Sequence, residues 1–132
     1  MIRVHATTPS LAAAMERLNI RNAAAIVVDN TVYLSGLTAL DVNTGELIAG
    51  GIREHTRHTL ELYRTILEDI GLSLDHVVKV NAYLADPADF TAWNEEYLQI
   101  FQAPYPCRTT VTAPPVFGLL EVELIAAREP RR

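Results

Sequence analysis

Residues 52–84 read IREHTRHTLELYRTILEDIGLSLDHVVKVNAYL, and two different periods meet in this stretch. Ile52, Thr56, Leu60, Tyr63, Leu67 and Ile70 recur at steps of three and four, one stripe of a helix. Arg53, Arg57, Glu61, Arg64 and Glu68 occupy the rest of its circumference. Gly50-Gly51 breaks the chain before the helix. Gly71 suits its C-terminal cap, because glycine enters the left-handed region without steric cost. Further on, Val78, Val80, Ala82 and Leu84 alternate with Lys79, Asn81 and Tyr83, the period of two that marks a strand. An amphipathic helix feeding a half-buried strand predicts a sheet covered by helices.

The flanks extend this pattern. Upstream, Ala23–Val28 and Thr31–Ser35 are short β-type runs separated by Asp29-Asn30, two residues that tolerate φ > 0 and therefore suit a hairpin. Asn43-Thr44-Gly45 marks a second turn before a short apolar piece, Glu46–Ala49. Downstream, Asp86-Pro87 offers an N-cap followed by proline at the first helical position. Phe90, Trp93, Tyr97 and Phe101 continue that helix as an aromatic stripe, which Pro104 and Pro106 stop. Two further strands, Arg108–Thr112 and Glu121–Ala126, are joined by a loop with Pro114-Pro115 and Gly118. Residues 6–22 resist reading: Leu11 to Leu18 has helical composition, but Pro9 and its polar neighbours leave the assignment open. The order predicts one α/β (α+β) domain over residues 1–132, a mixed sheet with two helices on one face. The other face of such a sheet needs cover, and a second copy of the chain is the expected source.

Composition sets the outer limits. The 132 residues are 49% hydrophobic and 20% charged, enough apolar material for a single core. No apolar run approaches a membrane span, and Met1-Ile2-Arg3-Val4-His5 lacks the apolar stretch of a secretory signal. A single cysteine, Cys107, fits a reducing compartment, so a cytoplasmic location is expected. The net charge of −5, with no basic cluster longer than Arg131-Arg132, argues against nucleic acid as the partner.

Arg108, Thr110 and Thr112 share one side of their strand, and Glu121 and Glu123 share one side of the last. If these strands pair with polar faces aligned, an arginine, a hydroxyl and a carboxylate converge. The planar fork of arginine suits a substrate carboxylate, and a carboxylate can activate water. The competing reading is a solvated face with an incidental ion pair. Cys107 beside Arg108 could be a nucleophile, though no histidine neighbours it in sequence, and a small half-buried spacer is the simpler reading. Glu54-His55 and His58 have helical spacing, but zinc needs three or four ligands, and a solvated helix face is preferred to a metal site. Ser35-Gly36 offers a hydroxyl and a close-approach backbone; Asn94 could be a helix-face amide without a role.

In combination these pieces are more specific. Leu34-Ser35-Gly36, the run Leu74–Val80 after Gly71, Asp89-Phe90 with Asn94, Tyr97 and Phe101, Pro106–Val111 and Glu121–Ala126 stand in one order along residues 23–127. In that order they resemble the blocks of the RidA (YjgF/YER057c/UK114) family. The resemblance implies a chorismate-mutase-like (YjgF-like) fold, a homotrimer with clefts between subunits, and cofactor-free hydrolysis of imines and enamines such as 2-aminoacrylate to 2-keto acids and ammonia. Carried over by position, Arg108 would bind the substrate carboxylate and Glu121 would position or activate water. Ser35 and the Gly36 backbone would hold the substrate, with Asn94 and Thr110 lining the cleft. The chain departs from the family's pattern at Leu37, where many members have glutamine, at Ile20–Ala23, where many carry a tyrosine, and at Cys107, usually alanine. These changes place the substrate range in question and motivate an alternative, a non-catalytic small-molecule-binding trimer using the same cleft.

Overall fold

The computed structural model describes residues 1–5 and 9–132. The elements are β1 (Ile2–His5), α1 (Pro9–Arg17), β2 (Ala25–Val28), β3 (Thr31–Leu37), α2 (Ile52–Asp69), β4 (Val77–Leu84), α3 (Phe90–Ile100), β5 (Cys107–Thr112) and β6 (Leu120–Ala127). They form a six-stranded mixed sheet in the order β1-β2-β3-β6-β4-β5, in which β4 and β5 alone are parallel. The helical composition from Leu11 resolves as α1, so the two expected helices are joined by a third among the described residues. β1 was not legible in the sequence.

The local chemistry anticipated at the turns is present. Asp29 adopts φ +51° in the β2–β3 hairpin, and Gly71 adopts φ +81° just past the C-cap of α2. The Asp86 carboxylate accepts from the Ala88 N–H, capping a single 3-10 turn that leads into α3.

Strand alternation separates two faces. Val27, Val32, Leu34, Val80, Ala82, Leu84, Leu120, Val122 and Leu124 point into the core with Leu60, Tyr63 and Leu67 of α2 and with Trp93 and Tyr97 of α3. Arg53 and Arg57 of α2 reach α3, where Arg57 Nε donates to Glu96 at 2.8 Å and Arg53 Nη2 to Glu95 at 2.7 Å. The Arg57 hydrogen bond and charge hold the Glu96 carboxyl below its usual range, against the opposing effect of its burial. The other face is the more open one among the described residues. Ile2, Val4, Tyr33 and Val111 stand exposed there.

Two histidines correct the solvated-face expectation for α2. His55 is buried, with Nε2 3.0 Å from the Ile48 carbonyl, and His58 Nε2 lies 2.6 Å from that of Leu40. They tie the 38–48 loop to the helix. Arg131 plays a similar part for the chain's last residues. Its side chain, 6% exposed, donates to the carbonyls of Leu74, Val77, Pro104 and Gln102. Burial lowers its pKa, with Asp75 offsetting part of that shift. No lysine can span four carbonyls in this way. Arg131→Ala is therefore expected to cost about 2–4 kcal/mol, since several charged hydrogen bonds are lost together. Arg131→Lys should recover only a minor part. Urea unfolding at fixed protomer concentration measures both, and a change within the error of the extrapolation would remove the stapling role.

Candidate active site

Arg108 opposes Val80 across the β4–β5 ladder, which puts it on the helix-covered side of the sheet. There its Nη1 donates to Asn94 Oδ1 at 2.8 Å. Its guanidinium carbon lies 4.5 Å from the Tyr97 ring centroid and 5.7 Å from that of Phe90. Aromatic faces attract a cation and also fix the plane of a guanidinium. Nε and Nη2 make no hydrogen bond to a described residue, so one edge of the fork remains available to a ligand. Burial raises the Tyr97 pKa and the Arg108 charge works against that shift, so the phenol stays neutral beside the cation. Thr110, on the same side of β5, has a buried hydroxyl without a partner among the described residues.

The carboxylates lie elsewhere. β4 separates β5 from β6, so the direct pairing that would have aligned Arg108 with Glu121 does not occur. Glu121 and Glu123 oppose Tyr83 and Asn81 and face the open side. Within one chain Arg108 and Glu121 therefore lie on opposite faces of the sheet. The reason is parity: Arg108 is in register with core-facing Val80, whereas Glu121 alternates with core-facing Leu120 and Val122.

The two glutamates are not equivalent. Glu123 accepts from the Tyr83 hydroxyl at 2.7 Å and from Asn81 Nδ2 at 3.1 Å. The Tyr83 hydrogen bond to Glu123 raises the tyrosine pKa. The Glu121 carboxylate makes no hydrogen bond or ion pair to a described residue. Glu121 borders a cavity of about 210 Å³ with Tyr83, Glu123 and the 113–116 loop. Its carboxylate also overlies Gly36, where a Cβ would come within 2.8 Å of Oε2. A side chain at position 36 would therefore displace the carboxylate from this place.

Ser35 and Gly36 form an irregularity in β3, where the ladder to β6 shifts register between Leu34 and Leu37. Tyr63 of α2 reaches this point from the core, its hydroxyl donating to the Ser35 carbonyl at 2.6 Å and also meeting that of Val122. Burial raises the Tyr63 pKa well above its ordinary value, with Glu121 and Glu123 adding to the effect. The Ser35 hydroxyl donates to the Ala23 carbonyl at 2.6 Å and can serve a ligand only as acceptor. Ser35 lines a second open-face cavity, about 290 Å³, with Asn22, Ala23, Ile26, Tyr33 and Leu34. Asn22 thus stands at a cavity, as its departure from the family pattern suggested. Leu37 does not: it packs against the core, so that change leaves the open cavities untouched. Cys107 is exposed on β5, opposite Lys79 and on the other side of the strand from Arg108.

The structure thus joins Arg108 with Asn94 and sets Glu121 against Gly36. Tyr97, Tyr83, Asn81 and Tyr63 join these groups without having been named as site residues. Tyr83 and Asn81 do stand on the polar alternation of β4, and that was the available signal.

Comparison with known proteins gives a consistent picture. The family model described as Endoribonuclease L-PSP matches residues 14–128. The chain is similar to a 2-iminobutanoate/2-iminopropanoate deaminase of Capra hircus, 39% identical over 80% of this chain and 79% of that protein. It is similar to a RutC family protein of Pyrococcus abyssi, 40% identical over 80% of this chain and 84% of the other. The crystal structure of RidA from an Antarctic Psychrobacter superposes with a TM-score of 0.75 at 37% identity, covering 80% of this chain and 87% of that one.

Proposed function

The chain belongs to the Endoribonuclease L-PSP family, the YjgF/RidA group, and from that membership we propose that it hydrolyses imines of 2-keto acids to the keto acid and ammonia. The observation that carries this reading is the Arg108 fork, held by Asn94 and Tyr97 with one edge free. Such a fork recognises a planar carboxylate with two parallel hydrogen bonds. The Glu121 carboxylate, unpaired among the described residues and beside Gly36, takes a proton from water as the oxygen adds to the C=N carbon and the nitrogen is protonated. The tetrahedral carbinolamine then collapses: the carbonyl forms, and the nitrogen leaves as ammonia after accepting a proton. The Ser35 hydroxyl oxygen accepts from the nitrogen side of the substrate, while Thr110 supports the strand that presents Arg108.

Because Arg108 and Glu121 occupy opposite faces of one sheet, the site is completed when the open face of one copy meets the β5 edge of another. The exposed Ile2, Val4, Tyr33 and Val111 supply apolar area for that assembly, which we take to be a homotrimer.

The test generates 2-iminopropanoate in situ and follows ammonia and pyruvate. Wild type should accelerate both. Arg108→Ala and Glu121→Gln chains, each impaired alone, should complement when unfolded and refolded as an equal mixture. In a closed ring with head-to-tail contacts, about a quarter of sites then combine an intact arginine with an intact glutamate, so about a quarter of wild-type activity should return. No recovery, with refolded wild type fully active, would mean that the site is not shared. No acceleration by wild type on any imine would favour a binding trimer without turnover.

A further inference from the structure

A third cavity, about 300 Å³, lies at the opposite end of the sheet from Arg108, on the helix-covered side at β1. Val27 and Val32, both buried, lie beneath it. Its rim carries Arg3 and His5 from one side of β1, Arg128 just past β6, and residues 70–72 at the end of α2. The Arg128 N–H is anchored to the Asn30 carbonyl at 2.9 Å, which brings its side chain to this corner.

The charges around this cavity are unusual for the molecule. The chain has 16 acidic residues against 11 basic ones, yet no acidic side chain among the described residues lines the cavity. Every other described arginine except Arg21 donates to an oxygen of the chain. Arg3 and Arg128 donate to none among the described residues. Two free guanidinium groups and an imidazole thus border one concavity, with no counter-charge among the described residues that line it. The C-terminus of α2 contributes roughly half a negative charge nearby, which two full cationic charges outweigh.

We propose that this cavity binds a compact dianion, and specifically a phosphate group. A tetrahedral anion offers enough oxygens for both forks and for a third donor on His5, whereas a single carboxylate has only two oxygens to share. The site is remote from Arg108 and independent of the proposed imine chemistry.

Titration of inorganic phosphate into the intact protein at constant ionic strength tests this, followed through the backbone amides of Val27, Val32 and Gly71 by NMR. Saturable shifts are expected at those amides. Arg3→Ala and Arg128→Ala should each weaken binding by about tenfold or more, the loss of one charge-assisted fork, and Arg21→Ala should leave it unchanged. Sulfate should compete, and acetate should not. Absence of saturable shifts would overturn the site. So would unchanged affinity in a double Arg3→Ala/Arg128→Ala variant with a native circular dichroism spectrum. Acetate binding as tightly as phosphate would overturn the dianion assignment.

Discussion

Arg108→Ala is expected to reduce kcat/KM for 2-iminopropanoate by about 10²–10³-fold, the effect of deleting one partner of a desolvated, doubly hydrogen-bonded charge pair. Most of the loss should appear in KM, because the carboxylate is held alike in ground and transition states. Arg108→Lys keeps the charge but loses the plane that Tyr97 and Phe90 stack against, so it should fall between the alanine variant and wild type. The sheet should survive either change, since the only hydrogen bond the Arg108 side chain makes to a described residue is the one to Asn94, and its backbone pairing with β4 is untouched. Steady-state kinetics paired with a circular dichroism spectrum decides the matter. A native spectrum with unchanged KM would remove Arg108 as the anchor.

Glu121→Gln should show the complementary split. Glutamine fills the same space over Gly36 but cannot accept a proton from water, so kcat should fall by about 10²–10⁴-fold with KM little altered. The Glu121 carboxylate has no hydrogen bond or ion pair among the described residues, so stability should be nearly unchanged. Glu123→Gln is the informative neighbour. Its carboxylate is already engaged by Tyr83 and Asn81, and a glutamine keeps one acceptor for them, so its loss of kcat should be far smaller. If the two glutamine variants were equally impaired, the general base would not be Glu121 alone.

Both variants rest on residues that a reading of the chain could reach, and the limits of that reading follow from geometry. α2 and β4 were plain because their periods differ and each is backed by one buried side. β1 was hidden because its pattern is inverted: Arg3 and His5 share the helix-covered side while Ile2 and Val4 face outward. An edge strand of four residues carries too little alternation to correct for that. Arg108 and Asn94 were marked by motif order, but their mutual contact depends on α3 lying over β5, which no local spacing specifies. The face on which Glu121 sits relative to Arg108 depends on β4 lying between their strands, a property of the whole sheet. Tyr63 and Tyr97 merged into apolar stripes because an aromatic ring satisfies a core position while its hydroxyl or its π face does something else.

Tyr63 also bears on how such a protein can diversify. Its hydroxyl holds the backbone under Ser35 from inside the core, so the floor beside Glu121 shares the rigidity of the most buried part of α2. Drift at that floor would be penalised twice, once as folding and once as chemistry. The rim is less buried: Asn22 and Val116, the latter 84% exposed, border the open-face cavities away from the core. New substrate preferences should therefore accumulate at the rim while the floor stays frozen, and one lineage can explore many ligands without risking its fold.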